Sequence, residues 1–130
     1  PEGKLFVHIF CHRQATYLFE DRGPSDWMAR HFFTGGMMPS RQLLTEFSED
    51  LVQEFSTDWN GVHYQKTANA WLAMMDAKGD SLRELFRVTY GNQADVWWQR
   101  WRIFFMARAE LFGYANGSEW FVTHQRFRRR

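Results

Sequence analysis

The residues with the means to do chemistry are few. His8 stands inside an apolar run, Lys4-Leu-Phe-Val-His-Ile-Phe10; Cys11 and His12 follow it directly; Gly35-Gly36 interrupts an aromatic segment; Tyr64 follows His63 between a turn and a helix. A histidine among apolar strand residues either has its ring nitrogens satisfied within a core or faces a ligand. In open α/β sheets the ligand crevice lies beyond the carboxyl ends of the strands, and His8 lies toward that end of its run, so both readings stand. Cys11 and His12 do not make a nucleophile pair, because neighbours on an extended backbone point apart. His8, Cys11, His12 and His31 show no spacing of converging ligands, so no metal is expected. Gly35-Gly36 belongs to no phosphate-binding pattern; it reads as a tight turn or as a loop that lets the backbone close over a ligand. Tyr64 either places its hydroxyl in a pocket or sits on a rim with its hydroxyl in water. Glu110, in the apolar segment Ala109-Glu-Leu-Phe112, needs a cation if buried, and Arg102 and Arg108 are the candidates. Trp97, Trp98 and Trp101 have the rings to cage a cation, but their helical spacing is that of a core.

The elements that must position these residues follow from composition and pattern. At 130 residues the chain is one domain or part of one. It is 45% hydrophobic and 18% aromatic, with 13 Phe and 7 Trp, more rings than a small domain hides; a deep pocket or a covered face is implied. A net charge of +1 gives no field to recruit nucleic acid, and the basic cluster Arg126, Arg128, Arg129 and Arg130 reads as a solvated end. One cysteine excludes an internal disulfide and fits a reducing compartment; with no signal peptide and no bilayer-length apolar run, a cytoplasmic protein is expected.

Residues 4–10 read as a strand buried on both faces, as in a parallel sheet. Residues 11–26 read as a loop with a short helix. Ser40 is a fitting N-cap for a helix over 41–47. Residues 51–56 form a second strand and 58–61 a turn. A helix follows over 67–77, stopped by Gly79, then a short one on the Ser81/Glu84 capping box. The longest helix, 93–112, is apolar nearly all round and should be buried on more than one side, with Gly113 as its C-cap. After a turn at Asn116-Gly117, residues 119–127 make a third strand with Trp120, Val122 and His124 on one face. Three strands do not shield the first on both edges, so the pattern predicts an α/β domain with part of its sheet outside the chain.

Several blocks in this order carry a resemblance. Leu5-Phe-Val-His-Ile-Phe10, Phe32-Phe-Thr-Gly-Gly-Met-Met-Pro-Ser40 and Asn60-Gly-Val-His-Tyr-Gln-Lys-Thr67 with Trp71 resemble the cyclopropane fatty-acid synthase family of S-adenosylmethionine-dependent methyltransferases. Trp101-Arg-Ile-Phe-Phe105, Ala109-Glu-Leu-Phe-Gly-Tyr114 and Glu119-Trp-Phe-Val122 are similar to its coclaurine N-methyltransferase branch. The resemblance implies the C-terminal part of a Rossmann-like class I methyltransferase fold, one partial domain over 1–130. Its three strands would be the fifth, the sixth and an antiparallel seventh inserted between them, with a helical cap over 64–113. It implies methyl transfer from S-adenosylmethionine to an amine nitrogen or to an unsaturated acyl chain. His8 and Tyr64 would be catalytic, holding with the backbone of Phe10 a bicarbonate that acts as base. Trp27, Phe32 and Trp101 would wall the substrate, favouring a developing ammonium or the sulfonium, and Gly35 and Gly36 would close near it. The cofactor-binding residues and a Glu-His pair that serves the amine are expected upstream of Pro1. Gln125 departs from the tyrosine the family pattern leads one to expect. The chain alone is therefore expected to bind cofactor weakly or not at all and to be inactive. A lipid substrate would bring peripheral membrane contact. The alternative is a non-catalytic binding or assembly module, or one half of a split enzyme, joining an N-terminal half or a second copy through the bare strand edge.

Overall fold

The computed structural model describes residues 2–130. Its elements are β1 (Lys4–His12), β2 (Tyr17–Leu18), α1 (Trp27–His31), β3 (Met37–Met38), β4 (Leu51–Trp59), α2 (Gly61–Ala77), α3 (Gly79–Tyr90), α4 (Ala94–Gly113) and β5 (Trp120–Arg129). The last strand lies in the middle of a three-stranded sheet of order β1-β5-β4, antiparallel to both neighbours, so β1 and β4 run the same way. β2 and β3 form a separate two-stranded ribbon. This is the predicted α/β arrangement, with the antiparallel strand between the other two.

Alternation along the strands gives the sheet two unlike faces. On one, Leu5, Val7, Ile9 and Cys11 of β1 stand opposite Phe127, Gln125, Thr123 and Phe121 of β5. That face is closed by residues 39–47: the His12 N–H donates to the Pro39 carbonyl, the Arg41 N–H donates to the His12 carbonyl, and Leu44 and Phe47 lie over Leu5, Val7 and Phe127. On the other, Phe6, His8 and Phe10 stand opposite Arg126, His124 and Val122. α2 and α4 pack against each other and against β5, and Phe112 of α4 meets Phe10 at 6.5 Å between ring centroids.

Several expectations change. β1 is not buried on both faces: Leu5 and Phe6 are 45% and 57% exposed, because Leu44 and Phe47 cover Leu5 only in part and Phe6 stands on the face that the helices do not fill. It runs two residues longer than expected, and the segment after it holds the β2 strand rather than a helix. Ser40 does not cap a helix over 41–47. It bridges to His12 and its N–H is taken by Thr16 Oγ1, so only a 3-10 turn, Leu43–Glu46, forms. β4 continues through the expected turn to Trp59 because β5 pairs with it that far, and α2 starts six residues early at Gly61. The Ser81/Glu84 pair makes no capping box: α3 begins at Gly79, and Ser81 donates to the Lys78 carbonyl instead. Gly113 is the last residue of α4 rather than its cap. α4 is not buried all round; Val96, Ile103 and Met106 are about 45% exposed. Among the described residues no helix is long and apolar enough to cross a membrane.

Candidate active site

The entrance of α2 is tied down before its functional residue appears. Asn60 caps the helix, its Oδ1 accepting from the Val62 N–H at 2.8 Å while its Nδ2 donates to the Asn116 carbonyl at 2.9 Å. Gly61 sits where a Cβ would lie 2.1 Å from the Trp120 carbonyl oxygen and 2.3 Å from that of Phe112. Gly117 adopts φ +73°, which disfavours side chains, and a Cβ there would lie 2.2 Å from Asn60 Oδ1. The first turn of α2 is thereby pressed against the α4–β5 connection, and Tyr64, one turn on, is fixed over the open face of the sheet.

Between that face and α2 lies a cavity of about 550 Å³. His8, Phe10, Trp59, Tyr64, Trp71 and His124 line it. The pairing of β1 with β5 sets His8 directly opposite His124, and their rings bond, Nδ1 to Nε2, at 2.7 Å. The indole N–H of Trp59, on β4, donates to His124 Nδ1 at 3.0 Å. Three strands thus contribute one polar chain to the wall, and the rest of the lining is aromatic or aliphatic apart from Thr67.

Behind Tyr64 stands Arg108. Its side chain is 8% exposed, and it forms no ion pair within the described residues. One Nη donates to the Tyr64 hydroxyl, while Nε is buried with no partner. The guanidinium lies among rings, with its carbon 4.7 Å from the centroid of Tyr64, 5.2 Å from Phe104 and 5.7 Å from Phe10 and Phe112. Burial pulls its pKa below the ordinary value, and Tyr64 draws it partly back. Ring faces and one hydroxyl take the place of a carboxylate.

His8, Phe10 and Tyr64, named from sequence, share this cavity. Trp101 does not reach it; it lines a second, apolar cavity of about 550 Å³ between α2, α3 and α4, and Trp71 borders both. Trp27 and Phe32 pack into an aromatic cluster that fastens α1 to α4, Phe32 lying 4.4 Å from Phe104 and 5.0 Å from Trp101. Gly35 and Gly36 form the turn into β3, where Phe19 donates to the Gly36 carbonyl at 2.9 Å; neither lines the cavity. His8 lies mid-strand rather than near the carboxyl end of β1. Glu110 is exposed, since residues two apart on a helix face different ways; Arg108 turns inward and Arg102 pairs with Asp76 at 2.9 Å. Trp97 and Trp98 lie under the protein's own cations, Arg100 at 4.8 Å and Arg83 at 4.4 Å. Cys11 is fully buried, and burial, with Asp58 nearby, pushes its thiol up to about 12. His12 Nδ1 accepts the Gln14 and Ala15 N–H groups, a structural role. Gln125, 1% exposed, accepts from Gln53 and donates to the Arg41 carbonyl, joining β4 and the 39–47 segment to β5. Trp59, Trp71, His124 and Arg108 escaped the sequence reading as site residues; the register of β5 between two strands is what gathers the first and third.

No family model matches the chain. It is 32% identical to (S)-coclaurine N-methyltransferase of Papaver somniferum over 133 residues, covering 99% of this chain and 38% of that protein. It is 29% identical to pavine N-methyltransferase of Thalictrum flavum subsp. glaucum, covering 98% of the chain and 37% of the relative. The crystal structure of coclaurine N-methyltransferase bound to N-methylheliamine and SAH superposes with a TM-score of 0.87 at 31% identity, over 97% of this chain and 38% of that one. The relatives of this chain are N-methyltransferases. Its fold is that of the C-terminal part of such an enzyme, and it spans less than two fifths of the length of the curated relatives it matches.

Proposed function

We propose that this chain is the acceptor-side portion of an S-adenosylmethionine-dependent amine N-methyltransferase. The observation that carries the reading is the cavity over the open face of the sheet. It is wide enough for a bicyclic amine, walled by Phe10, Trp59, Tyr64 and Trp71, and polar along one side only. Aromatic walls favour a cationic nitrogen, and confinement supplies orientation, the main requirement for direct attack on an electrophilic methyl group. Support also comes from similarity to N-methyltransferases along the whole chain. The residues present do not make a nucleoside site: Asp58, the carboxylate near the carboxyl end of β4, is held by Arg41 at 2.6 Å, and no glycine-rich turn follows β1. S-adenosylmethionine would be held by residues outside this chain, and it supplies the methyl group. Those residues, or a second copy, would join at the edge of β1 opposite β5.

The test is release of S-adenosylhomocysteine by the protein carrying this chain, offered secondary and tertiary amines and, separately, an unsaturated phospholipid with bicarbonate. Turnover of amines, with Trp71→Ala raising KM, is expected. Turnover of the lipid alone would replace this reading with acyl-chain methylation, in which His8 and Tyr64 hold a base. Titration calorimetry on the 130-residue chain alone should show no micromolar binding of S-adenosylmethionine; micromolar binding would break the assignment to the acceptor side.

A further inference from the structure

The polar wall of the cavity has a direction. An indole N–H only donates, so the bond from Trp59 requires a bare Nδ1 on His124. A neutral His124 then carries its hydrogen on Nε2, and the 2.7 Å bond to His8 Nδ1 makes His8 the acceptor. A neutral His8 in turn carries its hydrogen on Nε2, which makes no hydrogen bond to any described residue while the ring lines the cavity. Tyr64 is set in the same way: the guanidinium, also donor only, occupies its oxygen, and its own hydrogen has no acceptor among the described residues. Each chain starts on a group that cannot accept and ends with a hydrogen to give.

We infer that Trp59 is a positioning residue that fixes His8 as a hydrogen-bond donor toward the cavity, so that this wall takes an oxygen acceptor of the substrate and not its amine nitrogen. The inference rests on the amine N-methyltransferase reading for the identity of the ligand, though not for the wiring. A protonated amine offers only hydrogens and is mismatched with a wall that offers only hydrogens, and a neutral amine whose lone pair accepted from His8 would not have that pair free to attack the methyl group. An ether, phenol or carboxylate oxygen on the far side of the molecule is matched. The substrate is therefore held by its oxygen at His8, with its nitrogen turned away toward the remainder of the enzyme. His8 acts here as an anchor and not as a base, because its one bare ring nitrogen, Nδ1, is already occupied by the bond from His124.

Two measurements on the full-length protein carrying this chain test this. With 15N confined to histidine and tryptophan, couplings across the hydrogen bonds should join Trp59 Nε1 to His124 Nδ1 and His124 Nε2 to His8 Nδ1. A proton on Nδ1 of either ring overturns the wiring. Binding is then compared for two tetrahydroisoquinolines matched in shape, one with a ring hydroxyl and one with a methyl group in its place. Trp59→Phe and His8→Phe should each weaken the hydroxylated amine about three- to tenfold, the range of one net hydrogen bond, and leave the methyl analogue within about twofold. Equal losses for both amines would reduce Trp59 and His8 to packing and overturn the anchor. If neither amine binds the unaltered protein, the amine reading falls together with the substrate half of this inference, and the couplings alone decide the role of Trp59.

Discussion

The two faces of the β1-β5-β4 sheet are built from alternate residues of the same strands, yet they end in opposite states. On the closed face, Cys11, Thr123 and Gln125 are at most 1% exposed, and the side-chain amide of Gln125 has partners on both sides. On the open face, Phe6 is 57% and Trp59 49% exposed, and the polar chain from Trp59 to His8 ends at the cavity. A short irregular segment, residues 39–47, closes most of one face with its backbone and Leu44, leaving the Leu5 end partly open. The helices α2 and α4 lean over the other without filling it. The lesson is that polar residues in a sheet are stabilising or functional according to whether the chain itself completes their hydrogen bonds.

The contrast can be broken most forcefully by cutting equal rings from the two faces. Phe127→Ala, on the closed face at 4% exposure, should lower unfolding stability in urea by about 3–5 kcal/mol. Phe6→Ala, on the open face, should cost no more than about 0.5 kcal/mol. Equal losses would mean the open face is covered in solution. Next in size, Gln125→Leu leaves Gln53 and the Arg41 carbonyl without their partner and should cost about 1–3 kcal/mol. His124→Leu, its near neighbour on the opposite face, should stay within about 0.5 kcal/mol and abolish the coupling to His8.

A chemical probe sharpens the same boundary. The thiol of Cys11, raised to about 12 from an ordinary 9.0, should resist alkylation at pH 8 in the folded protein and react at once in urea. Because its folded pKa is raised, the stability it contributes is present below the ordinary thiol value and is lost as pH rises from 9 toward 12. Rapid labelling of the native protein at pH 8 would show the closed face to be open.

The smallest effect is expected at the rim. A bulge between Gln53 and Phe55 leaves Glu54 unpaired in the register, where it gathers Lys4 at 2.6 Å and Arg126 at 3.2 Å. Lys4 first, then Arg126, hold its carboxyl below the ordinary 4.5. A depressed carboxylate stabilises above its unfolded pKa and loses that contribution as pH falls through the folded value. Glu54→Gln should therefore lower the melting temperature slightly at pH 7 in low salt, and not at all near pH 2 or in 1 M salt, where such exposed pairs are screened. An effect that persisted in 1 M salt would point to packing instead.

How much of this was legible can be judged residue by residue. The strand run at β1 and the helices carrying Trp71 and Trp101 follow from apolar spacing, and the antiparallel last strand follows from the resemblance. His8, Phe10 and Tyr64 were legible as a group only through the resemblance, and they do share the cavity. Trp27 and Phe32 had the rings of a substrate wall, but ring type does not say whether a neighbour will fill the space in front of it; Phe104 does so. Arg108 was misread because charge suggested a carboxylate partner, while its helix face turned it into a nest of rings. Ser40 was misread as a cap because nothing local shows that its backbone is claimed by Thr16 and His12.

By itself, then, the sequence determined where the three long strands lie, where the helices carrying Trp71 and Trp101 lie, and that His8 stands among apolar strand residues. Those are consequences of local sterics and of periodicity, which each segment carries within it. Tertiary structure decided which polar residues meet. Only the insertion of β5 between β1 and β4 sets His124 beside both His8 and Trp59, residues more than 60 positions away in the chain. Only the packing of α2 on α4 sets Arg108 behind Tyr64. Hydrogen bonds are short and directional, so the partners of these groups are fixed by register and crossing geometry, and neither is written in any one stretch of residues.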